Sequence, residues 1–163
     1  MNVFEFCMQM ETDGRTYYME HADRVTIPAL KKILVNLADD ELKHYNLFKA
    51  LRDGAKAEYK DAEQTKILGN TKNLFQRLRD EEANMSFAPD ARSVWKKAQD
   101  VEKESEDYYR KEATKLSDPN QKKILNKIAD EEHKHWVALQ HVLEFLDRPK
   151  AFIDNAEWNS LED

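Results

Sequence analysis

Two segments of the chain place a histidine three positions after a glutamate: Glu41 and His44 in "ADDELKH", and Glu132 and His135 in "ADEEHKH". Positions i and i+3 share one helix face, so each pair presents a carboxylate and an imidazole in the same direction. Thirty residues before each pair stands a further glutamate, Glu11 before Glu41 and Glu102 before Glu132. All four acids fall within apolar stripes, where an isolated carboxylate is very costly and survives only if paired, protonated or bound to metal. Four ionised carboxylates with two neutral imidazoles sum to −4, a charge that two divalent cations cancel. Oxygen and imidazole donors without thiolate suit iron or manganese, and zinc less selectively.

Helices must position these groups. The periodicity predicts helix A over about residues 2–24, with Phe4, Met8, Glu11, Gly14, Tyr18, Ala22 and Val25 at three- and four-residue steps. Thr26 and Pro28 read as the cap and first turn of helix B, which runs to Gly54 with Ile33, Leu37, Glu41, His44, Phe48 and Leu51 inward. A connection over 54–88 follows, with a helical middle around Ile67, Leu68, Leu74, Phe75 and Leu78. Pro89 and Asp90 open helix C, whose stripe is Val94, Ala98, Glu102, Ser105, Tyr109, Ala113 and Leu116. Asp118 and Pro119 open helix D, with Ile124, Ile128, Glu132, His135, Leu139 and Val142 inward and an end near Arg148 and Pro149. Short A–B and C–D connections make antiparallel hairpins, and the long B–C connection can cross the length of a bundle. The expected architecture is all-α: a four-helix bundle with one crossover over residues 1–148, then a tail over 149–163 containing Phe152, Ile153 and Trp158.

The two hairpins are copies. A shift of 91 positions lays "KKILVNLADDELKHYNLF" (31–48) on "KKILNKIADEEHKHWVAL" (122–139) with nine of eighteen positions identical. The same shift carries Glu11 onto Glu102, and Tyr17 and Tyr18 onto Tyr108 and Tyr109. Two related hairpins are therefore expected to face each other about a pseudo-two-fold axis.

Composition narrows the classes. A length of 163 residues suits one domain, and three glycines with four prolines leave little punctuation between long helices. A net charge of −6 argues against nucleic-acid binding, which wants a basic face. No apolar stretch reaches membrane-spanning length, and "MNVFEFCMQMETD" lacks the basic start of a secretion signal, so a cytoplasmic protein is expected. Cys7 stands alone, which excludes an internal disulfide framework and any four-cysteine iron–sulfur or zinc site.

With these motifs assembled, the sequence resembles the ferritin-like superfamily, and within it the rubrerythrin-type di-iron proteins. The likeness rests on "METDGRTYY" (10–18), "ADDELKH" (38–44), "VEKESEDYY" (101–109) and "ADEEHKH" (129–135), and spans most of residues 2–146. It implies the ferritin-like crossover bundle and two iron ions, with manganese or zinc as alternatives. Glu41 and Glu132 are then bridging or near-bridging ligands, Glu11 and Glu102 terminal ones, and His44 and His135 give one imidazole per metal. Tyr18 and Tyr109 look like the family's inner tyrosines, which hydrogen-bond to ligating carboxylates; the plainer reading is two core aromatics. The implied activity is reduction of hydrogen peroxide, or of dioxygen, with electrons from an external donor such as rubredoxin. A homodimer, including one that swaps helix pairs, is compatible with the family.

Two departures qualify the resemblance. The chain lacks the four cysteines of a rubredoxin domain, and Ser105 stands where the family offers a second helix C glutamate, with Glu106 one residue late. Other readings of the same residues are a ferroxidase handling iron for storage, and a metal-free helical interaction module.

The remaining polar candidates are open. Asp40 and Glu131 precede the two ligand glutamates and could either orient a histidine or sit on solvated helix surface. His21, His133 and His141 leave their stripes and read as surface histidines. Cys7, one turn before Glu11, reads first as a small core residue and second as a neighbour of the metal pocket. The tail either covers an apolar patch or joins a subunit contact.

Overall fold

The computed structural model describes residues 2–60, 64–81, 87–155 and 157–162, and among these no strand occurs. Four long helices carry the molecule: α1 (Val3–Ala22), α2 (Pro28–Arg52), α4 (Ala91–Lys115) and α5 (Pro119–Asp147). A shorter helix, α3 (Ile67–Glu81), lies in the crossover; α6 (Pro149–Asn155) and a 3-10 turn (Glu157–Ser160) form the tail.

Side chains cap α1 and α5, whereas the caps of α2 and α4 (Ile27 and Asp90) make no side-chain hydrogen bond. Asn2 caps α1 by accepting from the Phe4 N–H at 2.7 Å. Asp118 caps α5 through the amides of Asn120 and Gln121 at 2.8 and 3.0 Å, ahead of Pro119 in the first turn. The cap of α2 is Ile27 instead of Thr26, and no side chain bonds there. Ile27 is buried in the core, so apolar burial and the preset φ of Pro28 start this helix without a polar cap. At the other end of α2, Gly54 adopts φ +75°. Gly54 N–H then reaches Leu51 O at 3.2 Å and Ala55 N–H reaches Ala50 O at 3.0 Å, a Schellman closure that a side chain at position 54 would strain.

Packing is strongest within the hairpins α1–α2 and α4–α5, and α3 lies against α2 and α5. Apolar side chains form two clusters. One gathers Ile33, Leu37, Phe75, Leu139 and Phe145 with others toward the end of the bundle that carries the tail. The second contains Phe4, Cys7, Phe48, Tyr109 and Ile128. Along every long helix the buried acids and histidines fall between the two, so a polar layer is sandwiched in the core. In the tail, Phe152, Ile153, Trp158 and Leu161 are buried on the first cluster. The Phe152 ring sits 4.9 Å from that of Phe75, and the Arg79 guanidinium lies 5.4 Å over Trp158. The tail thus covers an apolar patch of its own chain. No described helix is long and apolar enough to cross a membrane.

Candidate metal centre

All six glutamates and histidines singled out by spacing meet in the polar layer, each 4% exposed or less. Their ligand atoms form two overlapping groups, Glu11–Glu41–His44–Glu132 and Glu41–Glu102–Glu132–His135, each within 4.8 Å. Glu41 and Glu132 belong to both groups. One histidine and one unshared glutamate complete each half.

The two imidazoles are oriented alike. Nδ1 of His44 faces Glu132 Oε1 at 3.0 Å and Glu11 Oε1 at 3.4 Å. Nδ1 of His135 faces Glu102 Oε1 at 3.3 Å and Glu41 Oε1 at 3.5 Å. Each Nε2 turns outward to a buried acid on the opposite hairpin: His44 donates to Glu131 Oε1 at 2.7 Å, and His135 to Asp40 Oδ2 at 2.9 Å. A proton fixed on Nε2 leaves the Nδ1 lone pair of a neutral ring aimed at the centre. Asp40 and Glu131 therefore orient histidines and are not solvated surface.

A residue that spacing did not reveal joins these two acids. Thr65, in the crossover ahead of α3, donates its backbone N–H to Glu131 Oε2 at 3.1 Å and its hydroxyl to Asp40. The same hydroxyl accepts from Ile67 N–H at 3.1 Å. Its position two residues before a helix was legible as a local cap; its partners on α2 and α5 were not.

The tyrosines cross between hairpins as well. Tyr18 of α1 donates to Glu102 of α4, and Tyr109 of α4 donates to Glu11 of α1 at 2.8 Å. Burial, then the neighbouring carboxylates, push both phenols well above their ordinary range, so each stays a donor. One oxygen of each of the four glutamates, with Nδ1 of His44, has no hydrogen-bond partner. Buried acceptors left in this way are expensive, and bound cations would satisfy them. The residues present fit two metal ions.

Burial and mutual charge shift the protonation of the clustered groups. Burial and the charge of the neighbouring glutamates push Glu41 and Glu132 well above the carboxylate range. Burial and Glu132 also raise Glu11. Burial opposes ionisation of Glu102 too, but the charge of His135, with hydrogen bonds from Glu132, His135 and Tyr18, outweighs it and brings Glu102 down. Desolvation disfavours charge on both imidazoles, yet the facing carboxylates raise them well above their ordinary value. Asp40, despite burial, is held at about 2 by His135 and Thr65. Metal entry must displace these protons.

The remaining candidates stay outside the cluster. Glu106 is buried but turned to Arg110 at 2.9 Å and His133 at 3.1 Å. His21 packs on Tyr17, and His141 bonds the Val137 carbonyl at 3.0 Å. Cys7 belongs to the second apolar cluster. Ser105 lines a cleft of about 330 Å³ between α1 and α4, which also reaches Glu41, Glu102 and Glu132. Gly14 lies beside it: a Cβ there would sit 3.0 Å from Glu41 Oε2, so glycine gives that carboxylate room.

A helical bundle whose core gathers four carboxylates and two histidines about shared acids defines a ferritin-like protein with a buried cluster able to hold metal. The sequence profile of the rubrerythrin family matches residues 2–143, and the chain belongs to that family. No curated protein and no solved structure matches the chain significantly.

Proposed function

We propose that the protein is a di-iron oxidoreductase that reduces hydrogen peroxide to water, with electrons from an external donor such as rubredoxin. The observation that carries this reading is the sharing of Glu41 and Glu132 by two groups that each add one inward Nδ1 and one further glutamate. Such a donor set suits two iron ions, with manganese and zinc as competitors. When bound, ferrous ions supply the two electrons that, with two protons, convert one peroxide into two waters.

The chain's own residues do the positioning. Tyr18 and Tyr109 hold Glu102 and Glu11 by hydrogen bonds from the opposite hairpin. Asp40 and Glu131 fix the imidazoles, and Thr65 fixes both acids. The apolar clusters on either side keep bulk water from the layer. The α1–α4 cleft gives a small oxidant its approach to Glu41, Glu102 and Glu132. The single thiol, Cys7, is buried and takes no part in this scheme, in which an external donor supplies electrons for repeated turnover. A lone unpaired cysteine also suits a reducing cytoplasm, and a homodimer is compatible with the reading.

Anaerobic loading with ferrous ion, then rapid mixing with peroxide and separately with air, tests the proposal. Peroxide should oxidise the centre much faster than air. Oxidation no faster with peroxide, in a large multi-subunit particle, would move the reading to ferroxidase chemistry; failure to bind iron would leave a helical interaction module.

A further inference from the structure

We propose that the cleft between α1 and α4 binds small, uncharged organic hydroperoxides, compact alkyl or aryl ROOH, and presents them to the centre. This rests on the peroxide-reducing reading and names its substrate class.

The centre is covered unequally. On one side the histidines are backed by Asp40, Glu131 and Thr65. On the other, Glu41, Glu102 and Glu132 line the cleft. The cleft is bounded, because α1 and α4 touch at both of its ends. Tyr17 donates to the Val94 carbonyl at 2.7 Å at one end, and the Phe6 and Tyr108 rings lie 5.1 Å apart at the other. Between these contacts the walls recede, with Gly14 on α1 and Ala98 and Ser105 on α4 supplying small side chains.

Size and lining choose the ligand. A volume of about 330 Å³ far exceeds what hydrogen peroxide needs. A water-sized molecule takes on the order of 30 Å³, so most of the cleft would be idle for that substrate alone. Met10, Ala98, Val101 and Tyr17 give the walls an apolar surface suited to a hydrocarbon group. Asp13 and Glu104 join the three buried glutamates, and among the described residues no lysine, arginine or histidine lines the cleft. That charge pattern disfavours anions and leaves neutral ROOH as the matching class. A smaller cleft of about 140 Å³ between α1 and α2 touches Glu11 and Glu41 but carries Arg15 and less room.

The chemistry balances. The O–O bond of ROOH breaks, two electrons from the externally reduced centre and two protons are taken up, and ROH and water leave. The hydrocarbon group would rest on Met10 and Val101, with the peroxide oxygens toward Glu102.

Two measurements test the inference, and the first needs no metal. Titrating metal-free protein with 2-phenyl-2-propanol, the ROH product of cumene hydroperoxide reduction, should shift the methyl NMR signals of Met10, Ala98 and Val101 saturably. Val101 is 41% exposed, so Val101→Trp can fill the mouth with little risk to folding. That variant should weaken alcohol binding roughly tenfold or more. In iron-loaded protein it should lower the ratio of kcat/KM for cumene hydroperoxide to that for hydrogen peroxide by a similar factor. The paired reversal Asp13→Lys, Glu104→Lys should raise turnover of a carboxylate-bearing hydroperoxide relative to cumene hydroperoxide. Absence of saturable shifts, shifts confined to Thr12 and Thr16 of the smaller α1–α2 cleft, or an unchanged ratio in Val101→Trp would overturn the inference. Alcohol binding without turnover of either peroxide would instead refute the peroxide-reducing reading and leave only a binding cleft.

Discussion

The Thr65 amide donates to Oε2 of Glu131 at 3.1 Å, across 66 residues of sequence, while Oε1 of the same carboxylate receives His44 Nε2–H at 2.7 Å. The Thr65 hydroxyl makes the equivalent link to Asp40 and so to His135. One crossover residue therefore steadies the histidines of both halves, by its backbone on one side and its side chain on the other.

That asymmetry gives the first prediction. Thr65→Val removes the hydroxyl and keeps the N–H, so only the Asp40–His135 side is released. Of two metal-binding steps followed by cobalt or ferrous ion titration, one should weaken by about 10- to 100-fold and the other stay put. Thr65→Ser should restore the pattern. Equal weakening of both steps would mean that Thr65 acts through overall stability.

Gly14→Ala should separate stability from metal binding. An alanine in the middle of α1 gains about 1 kcal/mol of helix propensity over glycine. Its Cβ would also crowd Glu41 Oε2 from 3.0 Å, displacing a carboxylate shared by both metal groups. Metal-free protein should unfold at an equal or higher temperature, while metal stoichiometry or affinity falls. Unchanged metal binding would show that Glu41 yields without consequence.

Trp158→Ala tests the tail. The side chain is fully buried with Phe75 and Phe145 in the first cluster, and truncating such a tryptophan costs about 3–5 kcal/mol. Urea unfolding should show that loss in metal-free protein, with little change in the number of metal ions bound. A loss below about 1 kcal/mol would mean that the tail is only loosely docked.

Cys7 should be inert in the native state. Burial, followed by the charges of Glu11 and Glu112, pushes its thiol far above the ordinary range, so almost no thiolate exists at neutral pH. Labelling by iodoacetamide at neutral pH should be slow in native protein and rapid in denaturant. Fast native labelling would contradict the burial seen here.

Periodicity and repetition carried much of the site. Glu41 and His44 share a face because the helix repeats every 3.6 residues, and the 91-residue shift finds their counterparts Glu132 and His135. The same stripes placed Glu11 and Glu102 inward, and four apolar stripes joined by two short links and one long one specified the bundle. Thr26 misled because its side chain offers a cap, whereas burial of Ile27 decided where α2 starts.

By itself, then, the sequence determined most of the inward stripe of each helix, since that depends on spacing along one chain segment, but it left Asp40 and Glu131 open and both are buried. Only the tertiary structure decided how side chains pair across segments: Tyr18 with Glu102, His44 with Glu131, and Thr65 with both outer acids. It also decided that the tail closes over Phe75 and that a cleft stays open between α1 and α4. These features depend on the rotation and separation of packed helices, and no local period encodes either quantity.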